Sequence, residues 1–220
     1  NALGDIEVCS SGSHEWRDEL AAQQKAAEYP DALPFQVAPD VIDPRQMIKA
    51  LDQKLPKDWF MVNSSGHCSY YAAHMTGRSA DVFLTIREFG AIGNGLSYAI
   101  GVAAARPETQ VVLIDGDGGF LMHAQELETI KRHGIKLLMI VMNDAAYGVI
   151  ENIQDSQYEG RRHFSKLKTP DFGTLCKAID MPHSKAAASE DFAALFDATL
   201  AVNGPAMIEV DMVSIGPFAT

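Results

Sequence analysis

Cysteine is scarce in this chain, and long apolar segments are missing. Its three cysteines, Cys9, Cys68 and Cys176, lie far apart and form no CxxC pair, so no disulfide framework is predicted and we expect a reducing compartment. No apolar run approaches the roughly 20 residues of a membrane-spanning helix, and the first residues lack the basic and apolar regions of a signal peptide. These absences predict a cytoplasmic protein with no membrane partner.

Positive charge is also in deficit. The 220 residues include 18 basic and 29 acidic ones, which gives a formal net charge of −11. This balance argues against nucleic acid or an anionic membrane surface as the main partner. The hydrophobic fraction of 47% is ordinary for a globular protein with one sizeable core.

Residues 1–35 differ from the rest of the chain. They begin with Asn instead of Met and contain one predicted helix, 15–28, which ends before Pro30 and Pro34. We therefore divide the chain into a segment 1–35 and a main domain 36–220, and expect it to be a processed or excised piece of something longer.

The main domain alternates apolar strands with helices. Strands are predicted at 59–62, 82–86, 111–115, 137–142 and 206–210, and helices at 43–54, 95–105, 124–133, 147–157, 171–179 and 190–202. Strands that are apolar throughout, separated by helices of about ten residues, indicate a parallel sheet covered on both faces. The predicted class is α/β, a doubly wound, mostly parallel sheet with helices on both faces.

The most informative motif is a glycine turn after one apolar run and an Asn at the end of the next. The turn consists of Gly116, Asp117, Gly118 and Gly119, and Asn143 follows the second run. Open α/β sheets bind phosphorylated ligands at the carboxyl edge, where both segments should lie. Carboxylate and amide oxygens suit Mg²⁺, and glycines let a diphosphate approach the backbone and the N–H groups of the helix start.

This pattern resembles the thiamine diphosphate motif of acetolactate synthase-like and pyruvate decarboxylase-like enzymes. The resemblance runs from about Asp43 to Met212 and covers their C-terminal, diphosphate-binding (PP) domain. It implies thiamine diphosphate and Mg²⁺ as cofactors, with Asp117, Asn143 and the backbone carbonyl of Ala145 as metal ligands. Taken singly, Asp117 could equally cap a turn and Asn143 a helix.

A second glycine-rich segment lies between the strand 82–86 and the next helix. Gly90, Ala91 and Ile92 resemble the cofactor-binding element of the same enzymes. The resemblance implies that the Gly90 carbonyl accepts from the aminopyrimidine. It also implies that Ile92 forces the cofactor into its bent form, although ordinary core packing is the alternative for Ile92.

Two further segments complete the expected site. Residues 64–71 align with a segment that contacts the diphosphate in acetolactate synthase-like enzymes, which favours a phosphate contact by Ser69. His67 is either an acid–base group or an ordinary histidine at the edge of the site. After Asn143, we expect Tyr147 and Gly148 to contact the cofactor and Val149 and Ile150 to line the substrate pocket. Pyruvate decarboxylase-like enzymes carry Glu where Val149 stands, which tilts the prediction toward carboligation.

The same enzymes need a glutamate that this chain does not supply. It comes from a pyrimidine-binding (PYR) domain, on another subunit or an earlier chain segment, and residues 1–35 are too short to be that domain. They resemble the tail of the preceding middle domain, and whether that domain of the full enzyme binds FAD stays open. We therefore expect half of an oligomeric enzyme that acts on a 2-oxo acid, with decarboxylation or carboligation both open.

Two other functions stay open at this stage. Residues 90–95 and Asp115 could belong to an NAD-dependent oxidoreductase, but the glycine order is GxxGxG instead of GxGxxG, and this leaves Asp117 and Asn143 unexplained. The second alternative is a non-catalytic cofactor-binding subunit, against which the complete metal motif argues.

Overall fold

The computed structural model describes residues 15–20, 22, 42–75, 77–187, 189–202 and 204–212. The chain divides into two compact units, Asn1–Gln36 with Ala219 and Val37–Phe218 with Thr220. In the first unit, residues 15–20 form helix α1, within the predicted helix 15–28; most of the remainder of that prediction lies outside the described residues. The assignment of 1–35 to a preceding domain stays a prediction.

The second unit is built on one six-stranded sheet in which every pair of neighbouring strands is parallel. Its order is β2-β1-β3-β4-β6-β5. The strands are β1 (Phe60–Asn63), β2 (Phe83–Thr85), β3 (Val111–Gly116), β4 (Leu137–Asn143), β5 (His183–Ala186) and β6 (Ala206–Asp211). The predicted α/β class with a parallel sheet is confirmed.

Helices cover both faces of the sheet. They are α2 (Pro44–Lys54), α3 (His67–Ala72), α4 (Gly95–Ala105), α5 (Asp117–Met122), α6 (Leu127–Arg132), α7 (Gly148–Gln157), α8 (Phe172–Ala178) and α9 (Ser189–Leu200). Helices α2, α3 and α9 pack in one hydrophobic cluster, and α4, α5, α6 and α8 pack in the other. Within the described residues, no helix has the length and apolar character needed to cross a membrane.

The sequence explains why these elements form. All residues of β4 are buried, and side chains of β3 and β4 alternate between the two clusters, as expected of a strand covered on both faces. Helix α2 begins as predicted, with Pro44 at its first position and Asp43 as the N-cap that accepts from the Arg45 N–H at 2.8 Å.

Three elements differ from the predictions. Strand β5 was not predicted, and the glycine turn continues into the short helix α5. The predicted helix 124–133 is divided into a 3₁₀ turn at Ala124–Glu126 and helix α6. The first two differences bear on the site, because α5 begins at Asp117 and β5 contributes partners to a residue of β6.

The strand order places a topological switch between β1 and β3. From β1 the chain moves outward to β2, and then crosses back to β3 on the other side of β1. At such a point the segments that follow the two strands diverge and leave a crevice at the carboxyl edge. The segments after β1 and β3 are those that contain Ser69 and Asp117.

Candidate functional site

A cavity of about 600 Å³ opens at the carboxyl edge of the sheet. It is lined by residues from the segments that follow β1, β2, β3 and β4, so the segments predicted to bind the cofactor all meet there. The predicted site residues that line it are Ser69, Gly90, Ile92, Gly116, Asp117, Gly118, Gly119, Tyr147, Gly148, Val149 and Ile150. Ala91, Asn143 and Ala145 are not among the lining residues.

Asp117 is the most deeply buried carboxylate that lines this cavity. It is 1% exposed; its Oδ1 accepts from the Gly118 N–H at 2.8 Å, while its buried Oδ2 has no hydrogen-bond partner among the described residues. Burial, and then the nearby Asp144, raise the pKa of Asp117 to about 7. An oxygen left without a donor beside a second carboxyl group is the arrangement that a bound cation would satisfy.

Asn143 is the last residue of β4, and its carboxamide lies between one hydrogen-bond acceptor and one hydrogen-bond donor. Its Nδ2 donates to Glu209 Oε1 at 2.8 Å, and its Oδ1 accepts from the Ala145 N–H at 3.2 Å. The same N–H lies close enough to Asp117 to lower the pKa of that carboxyl. Oxygens of both predicted ligands therefore approach one backbone N–H.

Ala145 has a left-handed backbone, with φ of 52°. Its carbonyl oxygen accepts from the Leu167 N–H at 2.8 Å. A carbonyl oxygen has two lone pairs, so this bond leaves the other one for the predicted metal contact. Among the described residues, no three His, Cys, Asp or Glu side chains come together as a metal site, so a cation here would need amide, carbonyl and phosphate oxygens as well.

The glycine turn rests on a second buried acid, Asp115. Its Oδ1 accepts from the Gly116 N–H at 2.8 Å, and burial raises the pKa of this carboxyl to about 7. A Cβ atom on Gly119 would lie 2.7 Å from Asp115 Oδ1, and one on Gly95 would lie 2.8 Å from Asp115 Oδ2. Both positions therefore require glycine for close packing, beyond any need of a ligand.

Helix α3 brings the segment 64–71 to the cavity. Ser69 donates to the Gly66 carbonyl at 2.8 Å and accepts from Arg87 Nη1 at 2.9 Å. Cys68 is 2% exposed, and its thiol donates to the Ser64 carbonyl at 3.3 Å. As bonded here, the Ser69 hydroxyl gives its one proton to Gly66, so its phosphate contact stays a prediction, whereas the Cys68 thiol is held in the core.

His67 belongs to the same segment and also lines the cavity. Its Nδ1 is 3.9 Å from Asp144 Oδ2, and its Nε2 is 3.2 Å from Asn152 Nδ2. A Cβ atom on Gly148 would come within 2.6 Å of His67 Nδ1 and 2.5 Å of Asp144 Oδ2. The three residues are packed together, so His67 is a cavity side chain held in place by its neighbours.

The segment after β2 turns sharply. Phe89, Gly90 and Gly93 have positive φ values of 55°, 66° and 90°, and a Cβ atom on Gly93 would lie 2.6 Å from Met122 Sδ. This turn presents Gly90 and Ile92 to the cavity. The binding roles of both residues stay predictions.

The structure adds residues that the sequence analysis missed. Arg87 lines the cavity and lies over the Tyr70 ring at 5.4 Å, and Asp144 and Asn152 line it on the side of α7. Arg162 and Lys166 also line it, where they pair with Glu151 at 3.5 and 3.0 Å. Asp144 follows the end of β4 directly and Arg87 lies two residues after β2, which was a usable signal. Asn152 belongs to α7, and Arg162 and Lys166 depend on a loop whose course no local pattern indicates.

Comparison with known proteins agrees with this geometry. The family model described as thiamine pyrophosphate enzyme, C-terminal TPP binding domain, matches residues 64–210, more than half of the chain. Acetolactate synthase 2, chloroplastic, of Nicotiana tabacum is 31% identical over 204 residues, which cover 89% of this chain and 30% of that protein.

Two microbial proteins show the same relationship. The mitochondrial acetolactate synthase catalytic subunit of Saccharomyces cerevisiae is 29% identical over 203 residues, covering 90% of this chain and 29% of that protein. The acetolactate synthase isozyme 2 large subunit of Escherichia coli is 29% identical over 175 residues, covering 79% and 32%. The chain therefore spans about a third of the length of these relatives.

Proposed function

From the chain's membership of the thiamine pyrophosphate enzymes, whose C-terminal TPP-binding domain it contains, we propose that it holds the diphosphate of thiamine diphosphate together with Mg²⁺. The full protein is then a 2-oxo acid decarboxylase or carboligase similar to acetolactate synthase. One observation carries this proposal: a cavity joins the segments after four strands around a buried carboxylate oxygen that has no donor among the described residues.

The residues present fit a divalent cation. Asp117 and Asp144 are two carboxyl groups facing one cavity, and their proximity contributes to the raised pKa of Asp117. A cation would favour the ionised form of Asp117. Asp117, Asn143 and the Ala145 carbonyl would be its protein ligands, since Mg²⁺ takes oxygen ligands and keeps phosphate oxygens in its shell.

The remaining walls fit a diphosphate and an apolar ring system. Gly116 has no side chain that would keep a diphosphate away from the backbone of the turn. A Cβ atom there would meet nothing within 4 Å, so the space beside it is open. Arg87 offers a guanidinium group, and Ser69 would offer its hydroxyl on giving up the hydrogen bond to Gly66. Ile92, Val149 and Ile150 supply apolar surface for the rest of the cofactor and for the substrate.

Thiamine diphosphate, when bound, supplies the electron sink for decarboxylation of a 2-oxo acid. This chain's residues bind and orient the cofactor and exclude water from its diphosphate. The resemblance assigns the glutamate that promotes cofactor deprotonation to a PYR domain. In the described part of the chain, Glu151 is the one glutamate that lines the cavity, and it is engaged by Ser165 at 3.1 Å and Lys166 at 3.0 Å.

A partner domain is further supported by exposed aromatic groups beside the cavity. Phe89 and Phe164 are 107% and 99% exposed, and each lies next to or between residues that line the cavity. Large apolar side chains exposed beside an opening are candidates for burial against a partner. We propose that the PYR domain, from another subunit or an earlier chain segment, covers this opening and makes the enzyme an oligomer. A flavin, if the full enzyme uses one, would lie outside this domain.

The test is cofactor binding and turnover by the intact protein with any companion chain. Thiamine diphosphate should bind only with Mg²⁺, and Asp117→Ala should abolish both this Mg²⁺-dependent binding and the turnover of 2-oxo acids. The matched control is Asp58→Ala, since Asp58 is an exposed acid on the turn before β1. Binding and turnover unaffected by Asp117→Ala would refute the site. Cofactor binding without turnover would support a non-catalytic subunit, and binding of NAD without Mg²⁺ would support an oxidoreductase.

A further inference from the structure

Glu209 is a buried carboxylate that lies behind the cofactor cavity. It belongs to β6, is 4% exposed, and is not among the residues that line the cavity. Its side chain joins three strands on one face of the sheet. Oε1 accepts from Asn143 Nδ2 at 2.8 Å and lies 3.3 Å from Lys185 Nζ, and Oε2 lies 3.2 Å from His183 Nε2.

The two partners of Asn143 determine which way its carboxamide faces. A carboxylate only accepts hydrogen bonds and a backbone N–H only donates, whereas a carboxamide has one end of each kind. Glu209 therefore takes the NH₂ end, and the Ala145 N–H takes the oxygen, at 2.8 and 3.2 Å. Exchange of the two ends would place oxygen against oxygen and N–H against N–H.

We infer that Glu209 is a positioning residue that holds the Asn143 oxygen toward the cation and turns the NH₂ group away from it. This inference rests on the proposed function, because it concerns a ligand of the proposed Mg²⁺ site. Residues that hydrogen-bond to a metal ligand fix the orientation of that ligand in proteins. Their loss typically weakens metal affinity about 10- to 100-fold.

The network around Glu209 makes the arrangement specific. Burial of a carboxylate is costly unless it is paired, and here His183 and Lys185 of β5 provide the pairing from the side opposite Asn143. Lys185 also lies 3.2 Å from Asp211. Glu209 is thus bonded to residues of both strands that flank β6, which restricts its side chain to few conformations.

The experiment measures Mn²⁺ affinity by electron paramagnetic resonance, with excess thiamine diphosphate, on the intact protein with any companion chain. Glu209→Met removes the acceptor at similar volume and should weaken Mn²⁺ binding about tenfold or more. Glu209→Gln retains a side-chain oxygen for Asn143 and should stay close to the unchanged protein. The control for lost packing is Met207→Ala, a fully buried residue of the same strand, which should leave Mn²⁺ affinity unchanged.

A second pair of variants keeps the test decisive if Glu209→Met does not fold. Asn143→Asp alone places two carboxylates together and should weaken folding and Mn²⁺ binding. Asn143→Asp combined with Glu209→Gln reverses donor and acceptor, restores the hydrogen bond, and should recover affinity. Since Asn143→Asp alone lowers Mn²⁺ affinity and Glu209→Gln alone leaves it nearly unchanged, recovery in the double variant assigns the effect to the hydrogen bond between these two side chains.

The outcomes separate the inference from the proposed function. If the unchanged protein binds no Mn²⁺ with thiamine diphosphate, or Asp117→Ala binds it equally well, the proposed function fails and the inference with it. If Asp117→Ala abolishes binding but Glu209→Met binds as the unchanged protein does, only the role of Glu209 is overturned. The same holds if Met207→Ala weakens binding as much as Glu209→Met, or the double variant recovers nothing.

Discussion

Asp115 lies directly beneath Gly119, so that a Cβ atom on Gly119 would be 2.7 Å from Asp115 Oδ1. Asp115 is fully buried and bonded to the Gly116 N–H, so it cannot move aside easily. The glycine turn that carries Asp117 is therefore shaped by the core below it as well as by the cavity above.

The first prediction is that Gly119→Ala destabilises the fold by about 1–3 kcal/mol, because it overpacks a rigid site. The control is Gly116→Ala in the same turn. Gly116 has φ of −87°, and its Cβ atom would meet nothing within 4 Å, so its effect should stay within about 0.5 kcal/mol. Urea unfolding without cofactor measures both. Equal effects of the two substitutions would contradict the packing explanation.

The second prediction concerns the pH dependence of stability. Burial raises the pKa of Asp115 from an ordinary 3.8 to about 7. Between these values the folded protein holds a proton that the unfolded chain has lost, so the unfolding free energy falls as pH rises through this window. The penalty is absent below pH 3.8 and complete above about 7.

Asp115→Asn removes this titration but keeps an oxygen for the Gly116 N–H. The variant should gain stability over the unchanged protein on going from about pH 5 to about pH 8, by an amount on the order of a few kcal/mol. The contribution of Asp117 is common to both proteins and cancels in the difference. Asp58→Asn, at an exposed site, serves as the control, and a pH-independent difference for Asp115→Asn would refute the assignment.

The central strands of the sheet could be predicted because each is a run of consecutive apolar residues. Runs such as Val111–Gly116 and Leu137–Asn143 are apolar almost throughout, and such runs are typical of parallel strands covered on both faces. Strand β5 was missed because His183–Ala186 is short and polar. Among the described residues it lies at the sheet edge with β6 as its one strand neighbour, so its sequence does not need to be apolar.

The site could be predicted only in part, for a similar reason. Motifs at strand ends located Asp117 and Asn143, since the carboxyl ends of parallel strands meet at one edge. The orientation of the Asn143 carboxamide depends on Glu209, which is distant in the sequence and belongs to a different strand. Helix α5 was not predicted because Gly118 and Gly119 are weak helix formers, and buried Phe120 compensates for them through tertiary packing.

The third prediction concerns this packing of α5. Phe120 and Phe172 are fully buried and meet edge to face, with ring centroids 5.6 Å apart. A double-mutant cycle of Phe120→Leu and Phe172→Leu should give a coupling energy of about 0.5–1.5 kcal/mol in urea unfolding. Phe196 belongs to the other cluster, so Phe120→Leu and Phe196→Leu should be additive within about 0.5 kcal/mol. Additivity of the first pair would exclude a specific aromatic contact.

The fourth prediction concerns thiol reactivity. Cys68 and Cys176 are buried, and burial raises the pKa of both thiols, that of Cys176 to about 12. Since the thiolate is the reactive form, neither should react with iodoacetamide near neutral pH until the protein unfolds. Cys9 lies outside the described residues, so the measurement uses Cys9→Ser protein and counts labels by mass spectrometry. Rapid labelling of Cys68 in the native protein would contradict the burial of that thiol.

The last prediction concerns the aromatic groups beside the cavity. Phe89 and Phe164 combine nearly complete exposure with left-handed backbones, at φ of 55° and 57°. Such backbones cost about 1 kcal/mol or more of free energy for a bulky residue. The two rings are too exposed to offset this cost by burial within the described part of the chain. A covering PYR domain would explain both features. Phe89→Ser combined with Phe164→Ser should then weaken assembly and thiamine diphosphate retention while leaving the unfolding midpoint nearly unchanged.

Light scattering after size-exclusion chromatography measures the assembly in the intact protein. The control is Tyr98→Ser, because Tyr98 is an exposed aromatic residue of α4 and neither it nor its sequence neighbours line the cavity. Loss of assembly in the double variant but not in the control would assign this surface to the partner. An unchanged assembly with unchanged cofactor retention would mean that the partner covers a different face, and the exposed phenylalanines would then need another explanation.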